Sequence, residues 1–309
     1  MILGTVYRST GSWYKIVTEN EIINCRIQGK IRLNNIKSTS PVVVGDKVII
    51  QKDLLSDKNE GVIIEIKKRK NYIVRKSVKL SKQTHIIASN VDQAFLIITI
   101  DNPSTTTSFI DRFLVTAEAY KVKCILVFNK VDSYNQKHKC KMNELIKIYS
   151  NIGYKCVKIS ALKNININIV RDLIAKKVCM FSGHSGVGKS TLINCLSVNL
   201  DVPTSSVSKY HQQGQHTTTF AEMYDLENGA KLIDTPGIKG FGLVNMKKSE
   251  IRKYFPEFRK LSHKCRFNDC LHIEEPSCSI KTAIDNKLIS SSRYSSYLKL
   301  LEDHKEYRN

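Results

Sequence analysis

The stretch Gly183 to Ser190, GHSGVGKS, constrains the fold of this chain more than any other feature. It matches the pattern G-x-x-x-x-G-K-[ST], follows the apolar run KVCMFS and opens a helical stretch, which is the setting that a phosphate-binding loop requires. The glycines let backbone N–H groups surround phosphates, Lys189 can reach the β- and γ-phosphates, and Ser190 can bind Mg²⁺. The alternative is a glycine-rich turn with a chance Lys-Ser pair, which the flanking strand and helix disfavour.

Around this loop, apolar runs of strand length alternate with helical stretches from about residue 91 to 245. We predict strands over residues 93–100, 123–128, 155–159 and 178–182, and helical residues at 109–120, 141–150, 170–175 and 189–196. Strands that are apolar on both faces favour a parallel sheet covered by helices. The fold predicted for this region is therefore an α/β P-loop domain.

Two motifs at consecutive predicted strand ends indicate guanine recognition. The first is NKVD, residues Asn129, Lys130, Val131 and Asp132, and the second is SAL, which begins with Ser160 and Ala161. The Asp132 carboxylate can accept from both N1–H and N2–H₂ of guanine, a pairing that adenine does not offer. We expect Asn129 to tie this loop to the phosphate loop, the Lys130 stem to pack on the base, and a backbone N–H of SAL to meet guanine O6.

The segment after the phosphate loop supplies candidate magnesium and catalytic residues. Asp234, at the start of DTPG, can hold Mg²⁺ through water, and the Gly237 N–H can meet the γ-phosphate. The loop GQHTTTF could complete the magnesium shell with Thr217 or Thr218, between which the sequence does not choose. Ile238 follows Gly237 where many GTPases place a water-orienting Gln. We therefore expect slow intrinsic hydrolysis and take His216 as the candidate water-positioning residue.

When the motifs are numbered by their order in an ordinary GTPase, they occur in this chain in the order 4-5-1-2-3. In an open α/β sheet the ligand loops all project from the carboxyl ends of the strands, so a site needs their placement and not their chain order. Joining the usual termini and cutting elsewhere keeps the site, and neighbouring termini permit it. The sequence therefore predicts a circularly permuted domain. Its contacts to the nucleotide are expected from Asn129, Lys130, Val131, Asp132, Ser160, Ala161, Gly183, His184, Ser185, Gly186, Val187, Gly188, Lys189, Ser190, Thr191, Asp234 and Gly237.

Residues 1–72 contain short alternating apolar and polar runs separated by Gly, Asn, Ser and Pro. This pattern favours a small β-barrel, for which an OB-fold is the first candidate and an SH3-like barrel the alternative. The stretch KKRKNYIVRK places basic residues around Tyr72. Such interleaving suits nucleic acid, and the alternative is a charged edge that blocks strand pairing.

A late cluster of metal-ligand residues follows the spacing Cys265-x₄-Cys270-x-His272-x₅-Cys278. Three thiolates and one imidazole fill a tetrahedral shell, which is typical of a closed, structural zinc site. The other six of the nine cysteines are scattered, and nothing indicates export, so a disulfide framework is not expected. Unmetallated thiols in a reducing compartment are the alternative.

The chain has 49 Lys and Arg against 28 Asp and Glu, a formal net charge of +21 over 309 residues. A surplus of this size favours a polyanionic partner such as nucleic acid. Residues 94–100, the longest apolar run, are too few to span a bilayer. The first residues lack a charged segment followed by an apolar one, so we expect no signal peptide. We expect a cytoplasmic protein with no membrane partner.

NKVD, SAL, GHSGVGKST, GQHTTT and DTPG in this order, between a small barrel and a Cys/His lobe, resemble the ribosome small-subunit-dependent GTPase A family (RsgA, also called YjeQ). The resemblance implies an OB-fold over residues 1–72, a linker over 73–90, a permuted GTPase domain over 91–245 and a helical zinc domain over 246–309. It also implies GTP and GDP as substrate and product, Mg²⁺ and one Zn²⁺. The implied partner is the small (30S) ribosomal subunit with its 16S rRNA, bound by a monomer during late maturation, with hydrolysis stimulated by the subunit.

Two other classes of function remain open at this point. A nucleic-acid-binding module could sense GTP without turning it over. An ATP-using P-loop enzyme is the third possibility, although Asp132 argues against it because adenine lacks the donors that this carboxylate would accept.

Overall fold

The computed structural model describes residues 1–28, 41–53, 59–76, 84–197, 221–234 and 246–303. They form an N-terminal barrel, a central α/β domain and a C-terminal helical lobe. None of the helices in these ranges combines the length and the apolar character needed to cross a lipid bilayer.

The N-terminal barrel has the strands β1 (Ile2–Ser9), β2 (Tyr14–Val17), β3 (Ile22–Ile27), β4 (Lys47–Lys52) and β5 (Glu60–Ile66). Their order is β1-β2-β3-β5-β4, and a β1–β4 pairing closes the ring. Alternate side chains such as Tyr14, Ile16 and Ile23 point into a shared core, as the period of a half-buried strand requires. The predicted small β-barrel is confirmed, and it has the five strands of its first candidate, the OB-fold.

Two further strands, β6 (Tyr72–Lys76) and β7 (Thr84–Ser89), pair antiparallel in a separate sheet. They occupy most of the stretch that the sequence predicted as a linker. Residues Val43, Val74 and Ile86 form a small buried cluster there. The β6–β7 pair therefore packs against Val43, which lies just before β4.

The central domain continues with β8 (Gln93–Ile98), α1 (Thr107–Ala119), β9 (Lys123–Phe128), α2 (Gln136–Ile152), β10 (Lys155–Lys158), α3 (Ile167–Ile174), β11 (Val178–Ser182), α4 (Lys189–Leu196), β12 (Glu222–Asp225) and β13 (Lys231–Asp234). The strands β10-β9-β8-β11-β13 form a parallel sheet. All six residues of β8 are buried, as expected for a strand covered by helices on both faces. The α/β class predicted from the apolar runs is confirmed.

The helices of this domain begin and end at residues suited to those places. The Thr106 side chain accepts from the Phe109 N–H at the start of α1, and the Asn135 side chain accepts from the His138 N–H at the start of α2. Gly153 ends α2 with φ of 114°, a conformation that glycine adopts without a Cβ clash. These caps fix the two loops that precede α1 and α2.

The C-terminal lobe contains α5 (Lys248–Ile251), α6 (Pro256–Leu261), α7 (Ser279–Asp285) and α8 (Ser291–Asp303). Its core includes Phe255, Phe258 and Tyr297, and Val115 of α1 belongs to the same cluster. Tyr294, Tyr297, Leu298 and Leu301 of α8, at i, i+3, i+4 and i+7 spacing, pack against this core, with Tyr297 and Leu301 buried. The lobe is therefore packed directly against the GTPase domain.

Part of the basic stretch near Tyr72 has a structural role, while Lys67, Lys68 and Lys70 are exposed. Arg69 donates to both carboxylate oxygens of Asp46, and only 7% of its side chain is exposed. The Tyr72 ring lies 5.3 Å from the Tyr120 ring. Arg69 is therefore used inside the fold, whereas Tyr72 is half-buried. The nucleic-acid interpretation of the rest of this stretch stays a prediction.

Candidate nucleotide site and metal centre

The predicted nucleotide motifs lie at one edge of the parallel sheet. Asn129 directly follows β9, Ser160 follows β10 by two residues, Gly183 directly follows β11, and Asp234 ends β13. The carboxyl ends of parallel strands share one edge. The fold thus brings together motifs that are far apart in the chain.

Asn129 connects three of these loops. Its Nδ2 donates to the Val187 carbonyl oxygen at 2.8 Å, and its Oδ1 accepts from the Ala161 N–H at 3.0 Å. Gly188 has φ of +88°, and a Cβ added there would lie 2.5 Å from Asn129 Nδ2. Glycine is therefore required at position 188 for the close approach as well as for the backbone conformation.

The Tyr134 side chain supports the loop that carries Asp132. The Tyr134 hydroxyl donates to the Asn129 carbonyl oxygen at 2.6 Å and accepts from the Ile100 N–H at 2.9 Å. Lys130 has a left-handed backbone with φ of 65°, and its Nζ donates to the Asn102 carbonyl oxygen at 2.6 Å. Asp132 follows in a 3₁₀ turn and is exposed, so its carboxylate is open to a ligand.

The phosphate loop is packed tightly at its start. A Cβ on Gly183 would lie 2.8 Å from the Ile97 carbonyl oxygen, and Gly186 has φ of +82°. The His184 ring stacks on Phe109 with 3.8 Å between ring centroids. Burial lowers the pKa of His184, so its imidazole is neutral at physiological pH and adds no charge to the loop.

Lys189, Ser190 and Thr191 form the first turn of α4. The Lys189 Nζ lies 2.6 Å from Asp234 Oδ1, and 4% of the Asp234 side chain is exposed. A cation for phosphate and an oxygen donor for Mg²⁺ therefore meet at the sheet edge. Four predicted residues, His216, Thr217, Thr218 and Gly237, lie outside the described residues.

The Cys/His cluster converges in space. One potential ligand atom from each of Cys265, Cys270, His272 and Cys278 lies within 4.8 Å of the others. His272 Nδ1 is 3.7 Å from Cys265 Sγ and 3.3 Å from Cys278 Sγ. A tetrahedral zinc with Zn–S of about 2.3 Å and Zn–N of about 2.0 Å separates such atoms by about 3.5 Å. The donor set and its spacing fit zinc.

The surroundings favour the ligating forms of His272 and Cys265, whereas burial raises the pKa of Cys270 to about 12. Burial lowers the pKa of His272 to about 4, which keeps its imidazole neutral. Burial alone would raise the pKa of Cys265, but hydrogen bonds from Ser279 and neighbouring backbone N–H groups lower it overall. Neutral imidazole and thiolate are the forms that bind a metal ion.

Comparisons with known proteins agree with this arrangement. A family model described as RsgA GTPase matches residues 66–244, and one described as RsgA N-terminal domain matches residues 3–63. A relative from Flavobacterium johnsoniae, named small ribosomal subunit biogenesis GTPase RsgA, is 57% identical over 99% of this chain and 94% of its own length. The chain belongs to the RsgA GTPase family.

Other members support the same assignment. A Bacteroides fragilis relative with the same name is 49% identical over 98% of this chain and 97% of its own. The crystal structure of YjeQ from Thermotoga maritima matches with a TM-score of 0.77 and 32% identity, covering 98% of each chain. YloQ, described as a circularly permuted GTPase, matches with a TM-score of 0.73 and 26% identity over 100% of this chain and 96% of its own. The predicted permutation is confirmed.

Several supporting residues of this RsgA site were not singled out from the sequence. Tyr134 holds the base loop, and Phe109 packs on the phosphate loop. The hydroxyls of Tyr294 and Tyr297 donate to the carbonyl oxygens of His272 and Leu271, each at 2.7 Å. The spacing of these two tyrosines in the sequence is typical of the packing face of a helix, but it does not indicate their hydrogen bonds.

Proposed function

We propose that this protein hydrolyses GTP in the biogenesis of the small ribosomal subunit. The observation that carries the proposal is the pair of hydrogen bonds at Asn129, which joins the loop of Asp132, the phosphate loop and the loop of Ala161. Membership of a GTPase family supports the reaction. The names of its relatives support the biological setting.

Base recognition is assigned to the loops that Asn129 joins. The exposed Asp132 carboxylate accepts from guanine N1–H and N2–H₂, and the Lys130 stem covers one face of the base. A backbone N–H of the Ser160-Ala161 segment meets guanine O6. Val131 continues the loop between the two recognition residues and places Asp132 in its turn.

Phosphate binding is assigned to the backbone of residues 183–188, to Lys189 and to the N-terminus of α4, where Thr191 adds a further N–H. Ser190 and Asp234 supply oxygen ligands that suit Mg²⁺, with Thr217 or Thr218 as a third and Gly237 at the γ-phosphate. Bound Mg²⁺ neutralises charge on the β- and γ-phosphate oxygens. Residues Cys265, Cys270, His272 and Cys278 hold one structural Zn²⁺.

The first prediction concerns nucleotide choice. Asp132→Asn removes the acceptor for guanine N1–H and N2–H₂, and an amide suits xanthine, which has a carbonyl at C2. We expect about 100-fold weaker GTP binding, as for a lost charge-assisted pair, and a gain for xanthosine triphosphate. Fluorescent-nucleotide titrations measure both affinities. Unchanged preference for GTP with an intact fold would refute the role, and Asp101→Asn serves as a nearby control.

The second prediction concerns the attacking water. Ile238 has an apolar side chain that does not orient water, so His216 takes this role in the proposal. His216→Ala should lower subunit-stimulated turnover by about 100-fold, the low end for a proton-transfer or water-positioning group, and leave GTP affinity unchanged. Single-turnover hydrolysis with purified small subunits measures the effect. Normal stimulated turnover in this variant would assign the role elsewhere.

The partner in this proposal is the small ribosomal subunit with its 16S rRNA. The protein binds it as a monomer in the cytoplasm. Its intrinsic GTP hydrolysis is slow, and the subunit stimulates it. The net charge of +21 supports binding to RNA. The deciding experiment measures hydrolysis of GTP and ATP with and without purified small subunits. Stimulated GTP turnover supports the proposal, tight GTP binding without turnover indicates a sensor, and preference for ATP contradicts it.

A further inference from the structure

A cleft of about 400 Å³ lies between α2 and the C-terminal lobe. Its volume is within the range of about 300–1,000 Å³ that is usual for ligand pockets. None of its lining residues belongs to the nucleotide site or the metal centre. The cleft is therefore separate from the chemistry described above and lies at the junction of two domains.

The floor of the cleft is apolar. Ile148 and Ile152 contribute from α2, and Leu261 and Ile289 contribute from the lobe. At its edge, 77% of Leu288 is exposed to solvent. Leu288 extends the apolar lining to the mouth of the cleft, and a largely apolar lining with a few polar groups is typical of ligand pockets.

The rim of the cleft is positively charged. Lys147, Lys260 and Lys287 line it and are all exposed. Within the ranges that the structure describes, none of the three forms an ion pair, and the one acidic lining residue, Glu257, is already paired with Arg293. The rim thus presents three cations without local neutralisation.

We propose that this cleft binds an unpaired nucleotide of RNA, with its base on the apolar floor and its flanking phosphates on the three lysines. Single-stranded RNA offers flat, weakly polar bases next to phosphates, which matches an apolar floor under a basic rim. The choice of RNA over protein rests on the proposed function and on the net charge of +21. Duplex RNA does not fit, because its bases are stacked and paired inside the helix.

The test uses a single-stranded RNA oligonucleotide that contains 4-thiouridine, together with the full-length protein. Irradiation should crosslink it to residues 145–152 or 286–290, identified by mass spectrometry. The triple change Lys147→Ala, Lys260→Ala and Lys287→Ala should weaken binding about tenfold. It should also reduce the slope of log K against log salt by about 2, since each single-strand phosphate contact contributes about 0.7.

The matched control is the triple change Lys137→Ala, Lys139→Ala and Lys141→Ala, which removes the same charge from exposed positions of α2 outside the cleft. A second variant, Ile148→Ser, should weaken binding without changing the salt slope, because it alters only the floor. Equal effects of the two lysine triples, or crosslinks only outside the cleft, overturn the proposal. So does an equal loss with a duplex of the same sequence.

Small subunits provide the last comparison. If the cleft triple weakens binding to subunits but not to the oligonucleotide, a ribosomal protein occupies the cleft and the RNA assignment is wrong. Hydrolysis of GTP without subunits should be unchanged in every variant. Absence of GTP hydrolysis by the wild-type protein would contradict the proposed function alone, because the oligonucleotide titration still decides the cleft.

Discussion

Each outer domain has a junction with a buried aspartate–arginine pair. One pair joins the barrel to the β6–β7 segment that precedes the GTPase domain, and the other joins the lobe to the GTPase domain itself. At the barrel junction Asp46 pairs with Arg69, and at the lobe junction Asp111 of α1 pairs with Arg293 of α8. Both carboxylates are fully buried. The two pairs nevertheless differ in how completely their hydrogen bonds are satisfied.

At the barrel junction, four hydrogen bonds surround the carboxylate. Arg69 donates to both oxygens at 2.6 Å, Ser89 Oγ donates to Oδ1 at 2.6 Å, and the Val43 N–H donates to Oδ2 at 2.9 Å. A bidentate arginine with further donors is the geometry in which a buried pair best recovers its desolvation cost. These hydrogen bonds hold the barrel and the β6–β7 pair in a fixed arrangement.

At the lobe junction, Arg293 divides its donors. It donates to Asp111 Oδ1 at 2.7 Å and to Glu257 Oε1 at 2.7 Å, and the Tyr149 hydroxyl donates to Asp111 Oδ1 at 2.8 Å. Among the described residues, Asp111 Oδ2 and the buried Oγ of Ser296 have no hydrogen bond of good geometry, although the Ser296 hydroxyl is close enough to Asp111 to oppose the rise of its pKa. Burial raises the pKa of Asp111 despite the attraction of Arg293.

The same type of ion pair therefore gives two junctions of different strength. A carboxylate with an unsatisfied oxygen has lost its hydration without full replacement, which costs free energy. We therefore infer that the lobe junction opens at lower cost than the barrel junction. The lobe is then the domain better able to move when the GTPase domain changes state.

Metal removal should have the largest effect, and it should break only one of the two junctions. Structural zinc contributes about 10–16 kcal/mol of apparent folding free energy in zinc-finger peptides, more than a small lobe can replace. Chelation should remove hydrogen-exchange protection from α6 to α8, including the Asp111–Arg293 contact. Trp13, the only tryptophan, reports the barrel and should keep its fluorescence. Protected lobe amides in the presence of chelator would contradict the zinc assignment.

The next largest effect is expected at the barrel junction. Asp46→Ala leaves Arg69 buried without its partner, which should lower the free energy of barrel unfolding by about 3–5 kcal/mol. Urea titrations followed by Trp13 fluorescence measure this transition separately from the lobe.

Asp111→Ala is the matched change at the other junction. Arg293 keeps Glu257 as a partner, so the loss should be smaller, about 1–3 kcal/mol, and it should affect lobe amides and not Trp13. A loss as large as that of Asp46→Ala would show that the two junctions are equally strong.

The sequence predicted local elements of the fold but neither of the two aspartate–arginine pairs. The strand over Lys123–Phe128 and the helix over Lys189–Leu196 were predicted to the residue because apolar periodicity is a local signal. Asn129 could be placed because its motif specifies its neighbours. Arg69 was grouped with a basic surface, since its partner lies 23 positions away, and Arg293 lies 182 positions from Asp111. Pairing across such separations depends on tertiary packing, which leaves no local pattern.

The smallest effect, on Ser296, tests the difference between the junctions most directly. Ser296 is 2% exposed, and a buried hydroxyl without a partner costs about 1–3 kcal/mol. Ser296→Ala should therefore leave lobe stability unchanged or raise it by up to about 1 kcal/mol, measured as the urea midpoint of zinc release. Ser279→Ala is the control, because its Oγ donates to the Leu261 carbonyl oxygen at 2.8 Å and contacts Cys265 Sγ at 2.9 Å. It should lose about 1 kcal/mol. If Ser296→Ala were the more destabilising of the two, Ser296 would be completing the Asp111 carboxylate, and the lobe junction would be as fully bonded as the barrel junction.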